Sequence, residues 1–507
     1  MVEKGFVYLV GAGPGRAELI TVRGADVLKK ADCIIYDKLA NPALLKYARA
    51  DAEIIHVPKR IGKNSTSQEE INRLLVEKAA GGRTVVRLKG GDPCIFGRAT
   101  EEMVALNEAE IGYEIVPGVT AGVAVASYTG IMLTDRQYAS QMTFITGHEA
   151  EGKKDSGIDW DLLAKFRGTL VFYMGVGNLS NITGKLMENG MSGDMPAAVV
   201  SEITFPTQRI VEGTVANIEQ ECIRKNIEPP ALIVIGEAAH SFDSFNWFMK
   251  QPLFGKNIIV TRDEPGNAEF AEKIIARGAN PVPFATFHIK TLMETNEFLE
   301  TLTKLTSYEW IIFTSKNGVT IFLDALEKLN KDARVFASAK IACIGTQTEA
   351  KLNEFAVKAD FVPSIFTSEQ FGKQLINYAN LKDKKILLLR SEIASNELVE
   401  ILKLAGAEVD DISIYTAVMR KGEPSSLEEK IRNNEIDWVT FASPSAVQGF
   451  FESFSIELIN SSKTKVASVG PVTSKELERK TVKVDVTASE HTFDGLLDAI
   501  EQAYSLK

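Results

Sequence analysis

The second half of this chain repeats itself, and the repeated unit leaves few folds open. Lys256-Asn-Ile-Ile-Val-Thr-Arg262 resembles Lys384-Lys-Ile-Leu-Leu-Leu-Arg390. At the same offset, Arg277-Gly-Ala279 answers to Ala405-Gly-Ala407. So does Trp310-Ile-Ile-Phe-Thr-Ser-Lys-Asn-Gly-Val319 to Trp438-Val-Thr-Phe-Ala-Ser-Pro-Ser-Ala-Val447. Ile341-Ala-Cys-Ile-Gly345 then matches Val466-Ala-Ser-Val-Gly470 at nearly that spacing. A short apolar run closed by glycine or hydroxyl residues reads as a buried parallel strand leading into a helix. Two ordered copies of such runs predict two similar α/β lobes, with a ligand cleft between them.

The first half alternates in the same way. Phe6-Val-Tyr-Leu-Val10, Cys33-Ile-Ile-Tyr36, Thr84 to Leu88, Thr169-Leu-Val-Phe-Tyr173 and Ala231-Leu-Ile-Val-Ile-Gly236 are strand-like runs separated by helical patterns. That pattern pauses over Ser241 to Phe254 and restarts at Lys256, which predicts a boundary near Gly255. We therefore expect one domain over 1–245, a linker over 246–255 and a second domain over 256–507. A chain of 507 residues is too long for a single core.

Charge and cysteine usage narrow the partners. The net charge of −10 gives no basic field to neutralise phosphates, so nucleic acid is not an expected partner. Cys33, Cys94, Cys222 and Cys343 lie far apart, and the five histidines are scattered, so neither metal-ligand spacing nor a disulfide frame is present. The chain opens directly into a strand pattern, and no apolar run has the roughly 18 to 20 residues that cross a bilayer. The expectation is a cytoplasmic protein with no membrane partner.

Chemistry enters at Lys89-Gly-Gly-Asp-Pro-Cys-Ile-Phe-Gly-Arg98, a loop leaving the end of a strand. Its paired glycines admit close backbone approach, Asp92 offers acceptors, and Pro93 forbids continuation of the strand. Arg98 follows as an anion-binding donor. Val10-Gly-Ala-Gly-Pro-Gly-Arg16 is a second glycine loop, but Pro14 breaks the GxGxxG spacing of dinucleotide sites.

These loops occur in order with Tyr36-Asp-Lys38, Val116-Pro-Gly-Val-Thr-Ala121 and Thr146-Gly-His148. Together they resemble the tetrapyrrole methylase family, over roughly residues 4 to 245. The resemblance implies a two-lobed methylase fold with S-adenosyl-L-methionine held between the lobes and S-adenosyl-L-homocysteine as its product. It places Pro14, Gly90, Gly91, Asp92, Ile95, Thr120, Ala121, Met174 and Ile203 at the cofactor. It gives Asp37 and Lys59 as proton acceptor and donor, and turns Arg98, Glu101 and Arg136 toward the substrate. Two positions depart from the family: Ile203 stands where glycine is common, and Cys94 where an aromatic residue is usual.

The implied reaction moves an electrophilic methyl onto a carbon of an electron-rich pyrrole. No protein nucleophile is needed, only alignment, proton management and arginines for eight carboxylates. A guanidinium is too weak an acid to serve as a base, so Arg98 reads as a binder of charge. Residue chemistry alone leaves other roles open. Asp37 also reads as a cap of the turn before Asn41-Pro42, Lys59-Arg60 as a solvated loop, Glu101 as a helical partner of Arg98, and Met174 as core filler.

The second half, over about 256 to 503, resembles uroporphyrinogen-III synthase. The resemblance rests on Phe313-Thr-Ser-Lys-Asn-Gly318, Cys343-Ile-Gly-Thr-Gln347, Thr367-Ser-Glu369, Phe441-Ala-Ser-Pro-Ser445 and Val469-Gly-Pro-Val-Thr473. It implies two flavodoxin-like α/β lobes, one of 256–285 plus 418–507 and one of 290–411, joined by two strands. Those connectors are expected at Phe284-Ala-Thr-Phe-His-Ile289 and Ile412-Ser-Ile-Tyr-Thr416. Hydroxymethylbilane would be its substrate, with Tyr415 as proton donor to the departing hydroxyl. Thr314, Ser315, Asn317, Thr346, Ser368, Ser443, Ser445 and Thr473 would hold carboxylates. Hydroxyls at helix starts serve equally as N-caps, and Tyr415 also reads as a packed connector residue.

The combined expectation is a bifunctional enzyme. Its second half closes the ring of uroporphyrinogen III, and its first half methylates that ring twice to precorrin-2, on the way to sirohaem or cobalamin. A homodimer through the first half is implied as well. Two alternatives stay open: methylation of a different acceptor, and a noncatalytic anion-binding second half.

Overall fold

The computed structural model describes residues 4–49, 51–57, 66–149, 157–239, 243–261, 264–419 and 425–505. The chain divides into two compact units. One is Met1–Ile258 with Lys273–Pro281 and Tyr504–Lys507; the other is Ile259–Glu272 with Val282–Ala503. The α/β class expected from the alternation is the one the chain adopts.

The first unit opens with strands β1 (Phe6–Gly11), β2 (Cys33–Asp37), β3 (Glu53–Val57), β4 (Thr84–Lys89) and β5 (Gly112–Val116). They form a wholly parallel sheet in the order β3-β2-β4-β1-β5. Parallel strands need helices on both faces. Here Gln68–Ala80 and Ala99–Glu108 cover one face, and Val22–Leu28 covers the other. Ser67 and Glu70 close the start of Gln68–Ala80 with a reciprocal capping box, which stops the helix from fraying into the preceding turn.

A second sheet follows, built from β6 (Met142–Thr146), β7 (Thr169–Tyr173), β8 (Pro196–Ser201), β9 (Arg209–Thr214) and β10 (Ala231–Ile235). Its order is β6-β7-β10-β8-β9; only β6 and β7 are parallel. The segment expected as a linker packs onto this unit. Trp247 Nε1 donates to Ser127 O at 2.8 Å, and Phe248 and Leu253 are fully buried. Phe248 meets Tyr128 edge-on, and the Arg16 guanidinium lies 5.9 Å from the Phe248 ring centre.

The remaining strands are β11 (Asn257–Val260), β12 (Asn280–Pro283), β13 (Phe287–Thr291), β14 (Trp310–Phe313) and β15 (Lys340–Cys343). After them come β16 (Lys385–Ser391), β17 (Glu408–Met419), β18 (Trp438–Phe441), β19 (Lys465–Ser468) and β20 (Val486–Thr487). They form two sheets, β12-β11-β18-β19-β20 and β13-β17-β16-β14-β15. Sequence repeat and sheet membership are therefore out of phase, since β11 and β12 share a sheet with the last strands of the chain. The antiparallel connection runs from Phe287↔Met419 to Thr291↔Tyr415, a few residues beyond the connectors expected from sequence. The reason is that β17 serves two neighbours in turn. Its first part pairs with β16 through Arg390↔Ser413, and its last part pairs with β13.

Candidate functional site

Three loops converge at the carboxyl edge of the first sheet, where ligands bind in open α/β sheets. They leave β1, β4 and β5, and glycine is what lets them touch. Gly13 and Gly91 exchange backbone hydrogen bonds of 3.2 and 2.8 Å. A Cβ on Gly118 would stand 2.3 Å from Gly91 O, and one on Gly11 would stand 2.6 Å from Gly118 Cα. Gly91 itself has φ +67, and a would-be Cβ there would meet Thr120 Cα at 3.8 Å, an ordinary contact, so it is the backbone conformation rather than crowding that favours glycine.

Asp92 pins this junction. Oδ1 accepts from Cys94 N at 2.8 Å and Oδ2 from Gly118 N at 3.0 Å, tying the β4 loop to the β5 loop. Tyr173, at the end of β7, ties the second sheet to the same place. Its hydroxyl contacts Thr120 Oγ1 at 2.8 Å and accepts from Gly122 N at 2.7 Å, while its ring lies 5.0 Å from Phe96. Burial pushes the Tyr173 phenol above its ordinary value. The β1 loop also meets the segment that follows β8, where Arg16 N donates to Thr204 Oγ1 at 2.9 Å. Pro14, Gly90, Gly91, Asp92, Ile95, Thr120 and Ala121 thus lie on converging loops. Met174 follows Tyr173 with φ 55 and a half-exposed side chain. Ile203 is buried in the apolar cluster of Val125, Tyr173 and Val200.

Arg98 caps the helix Ala99–Glu108 in the left-handed conformation, φ 58. Its fork rests on Glu101, with Nε to Oε1 at 2.7 Å and Nη2 to Oε2 at 2.6 Å, and that partner raises the guanidinium pKa further. Arg136 is exposed in the Asp135–Ala139 turn. Asp37 ends β2 at the same edge of the sheet, and its carboxylate accepts from Arg87 Nη2. Lys59 lies outside the described residues.

Beneath Asp37 is a group that the sequence reading missed. Arg87 and Lys89, two apart on β4, share one face of a strand buried on both sides. Glu102 comes down from Ala99–Glu108, fully buried, and accepts from Arg87 Nε at 3.2 Å and from Lys89 Nζ at 2.8 Å. Burial pushes the Lys89 ammonium below its usual pKa, and Glu102 pulls it partly back. The signal was two cations at strand spacing inside an apolar run.

In the second unit the two repeats end alike. Ile344 N donates to Phe313 O at 3.1 Å, and Val469 N to Phe441 O at 3.0 Å, so each hydroxyl turn sits beside its neighbour's glycine turn. Ser315 caps Lys316–Lys328, its Oγ accepting from Gly318 N at 3.0 Å and meeting Tyr415 OH at 2.8 Å. Thr314 Oγ1 reaches Leu389 O at 3.5 Å, and Asn317 follows in the first helical turn. Ser443 caps Pro444–Ser453 and contacts Ser445 at 3.0 Å. Thr346 is exposed as the first residue of its helix. Ser368 follows the actual cap, Thr367, and Thr473 is buried. Ser391 Oγ, beside Tyr415 in register, is buried with no partner and was not anticipated.

The first unit thus joins a parallel sheet to a mixed one through glycine loops, and the second carries two sheets tipped by hydroxyl turns. Residues 7–219 match the family model of tetrapyrrole (corrin/porphyrin) methylases, and residues 268–498 match that of uroporphyrinogen-III synthase HemD. The porphyrin biosynthesis protein HemD of Ruminiclostridium josui is 37% identical over 98% of both chains. The uroporphyrinogen-III C-methyltransferase of Methanocaldococcus jannaschii is 47% identical over 47% of this chain and 99% of its own. The S-adenosyl-L-methionine-dependent uroporphyrinogen III methyltransferase of Methanosarcina barkeri is 46% identical, over 47% of this chain and 94% of its own. The chain belongs to this family, a tetrapyrrole methylase followed in one polypeptide by a uroporphyrinogen-III synthase.

Proposed function

We propose that the chain makes and then methylates one macrocycle. Its second domain cyclises hydroxymethylbilane to uroporphyrinogen III with inversion of the last ring. Its first domain is an S-adenosyl-L-methionine-dependent uroporphyrinogen-III C-methyltransferase that gives precorrin-2. The observation that carries this reading is the glycine junction of Gly11, Gly13, Gly91 and Gly118, in a chain similar over its whole length to a porphyrin biosynthesis protein.

The residues present fit the cofactor. The Asp92 carboxylate and the Tyr173 hydroxyl are spent on protein partners, which fixes the cradle in advance. Beside them lie the part-exposed backbone of Gly90 and Gly91 and the exposed apolar side chains of Leu39, Ile95 and Met174. Such a surface suits an adenosyl group and a methionyl chain. When bound, S-adenosylmethionine supplies an electrophilic methyl. The protein's own work is to hold the acceptor carbon in line and to manage one proton on the pyrrole. In this reading Asp37 takes that proton. Arg98, Glu101 and Arg136 bind or sort the propionate and acetate arms, and Lys59 completes the set as donor. In the synthase, Tyr415 protonates the departing hydroxyl while Ser315 orients its phenol.

The domain bounds of this reading are 1–245 and 256–507, with the segment between them packed against the first domain. Homodimerisation through the first domain, cytoplasmic residence and the absence of nucleic-acid partners belong to the same reading. Among the described residues no helix is long and apolar enough to cross a membrane.

One coupled assay tests the whole reading. Hydroxymethylbilane with S-adenosylmethionine is expected to give precorrin-2. Unmethylated uroporphyrinogen I as the only product overturns both assignments. Methylation of supplied uroporphyrinogen III, without ring closure, leaves the methylase and rejects the synthase.

A further inference from the structure

Four charged side chains meet under the cleft, three of them removed from water: Arg87, Lys89 and Glu102, with Asp37 at the rim. Two cations face two carboxylates, so the group is neutral as a whole. Every arm of the Arg87 guanidinium is used. Nη2 holds Asp37, Nε holds Glu102, and Nη1 donates to Ile35 O at 3.3 Å and Leu88 O at 3.4 Å. Glu102 is held in turn by Lys89 through both oxygens at 2.8 Å and by Gln68 Nε2 at 3.3 Å.

Apolar side chains of similar volume would fill this space at least as stably, because buried ion pairs recover little beyond their desolvation cost. The cluster therefore calls for another reason, and its geometry supplies one. β2 and β4 pair as far as Tyr36↔Leu88, so Asp37 lies past that ladder and keeps only its pairing with Val57 of β3. The Arg87 contact is what fixes the Asp37 carboxylate at the carboxyl end of β2.

The geometry points to Arg87, Lys89 and Glu102 as positioning residues for methyl transfer: Arg87 orients the Asp37 carboxylate, and the Lys89–Glu102 pair orients Arg87. This rests on the reading of Asp37 as the proton acceptor. None of the three touches substrate in this scheme; they act through Asp37 alone. The role is distinct from that of Arg98, which reaches outward from the other end of the same loop.

The test is a mutant cycle on methylation of uroporphyrinogen III by the full chain. Arg87→Met should lower kcat by about tenfold or more with KM for both substrates little changed, and Arg87→Lys should recover part of it. In an Asp37→Asn background, Arg87→Met should cost nothing further. Lys89→Met/Glu102→Met removes opposite charges together and keeps the core filled. It should lower kcat severalfold in the parent and not in the Asp37→Asn protein. Thermal melting and S-adenosylhomocysteine binding check that each variant is folded. If Arg87→Met does not fold, the Lys89/Glu102 arm decides. Equal losses in both backgrounds, or a parental kcat in the Lys89/Glu102 double variant, overturn the inference while sparing Asp37. An Asp37→Asn protein with parental kcat overturns the reading of Asp37 and this inference with it.

Discussion

Replacing Tyr173 with phenylalanine tests whether the second sheet holds the cofactor loop in shape. The ring stays, with its contacts to Phe96 and Phe144, so the core volume hardly changes. What is lost is one oxygen serving Thr120 Oγ1 at 2.8 Å and Gly122 N at 2.7 Å, both at the start of the helix Ala121–Thr129. Leaving a buried N–H without an acceptor costs about 1–3 kcal/mol, so a central expectation is about 2 kcal/mol. That corresponds to a roughly thirtyfold rise in the local opening equilibrium of the Gly122 amide. Hydrogen exchange on the segment 118–130 reads it directly. The same loosening should weaken S-adenosylhomocysteine binding by about tenfold, or about 1.4 kcal/mol, measured by titration calorimetry. Exchange at parental rates together with an affinity within twofold of the parent would refute the claim that this hydroxyl orders the loop.

Other outcomes follow from the same structure. Gly118→Ala drives a methyl into Gly91 O and should abolish cofactor binding while costing about 1–3 kcal/mol of stability, readable by calorimetry and urea unfolding. Of the four thiols, only Cys94 is exposed, so it should label first with a thiol reagent, and S-adenosylhomocysteine should slow that labelling. Burial pushes Cys33 and Cys222 up to about 11 and Cys343 up to about 12. Folding therefore favours the protonated thiols. Their contribution is complete below the unfolded pKa of about 8.5 and fades as pH climbs through the folded values, so Tm should fall across that alkaline range. Cys343→Ala should flatten the fall. Ser315→Ala removes both a helix cap and the Tyr415 contact; it should cost about 1 kcal/mol and slow ring closure, whereas Tyr415→Phe should slow closure with less loss of stability.

The sequence made the strands and their carboxyl-end turns legible, because apolar runs closed by glycine leave little choice of structure. Gly90, Gly91 and Thr120 lie at the carboxyl edge of the first sheet, since backbone approach there depends on local geometry that the glycines encode. Side-chain engagement was less visible. Asp92 reads as an open acceptor, yet both oxygens are taken, one by a residue on a distant loop, Gly118. Arg87 and Lys89 disappeared into an apolar run because their partner Glu102 arrives from a helix whose packing a strand pattern does not reveal. Thr473 looks like its hydroxyl counterparts, but it lies within the first turn of Pro471–Arg479 and is buried. Pairwise contact, rather than residue type, separates these cases.

The docking of Trp247, Phe248 and Leu253 has a consequence for how the chain is born. The methylase core lacks its last aromatic plug until translation has passed well beyond the final strand of its second sheet. Until then Tyr128 lacks the rings of Trp247 and Phe248 that cover it. A ribosome therefore commits to the seam between the two enzymes before the first one is finished. A gene split at the end of β10 would release a methylase missing part of its own interior, so fission at that point should be harder to tolerate than fission just past Leu253.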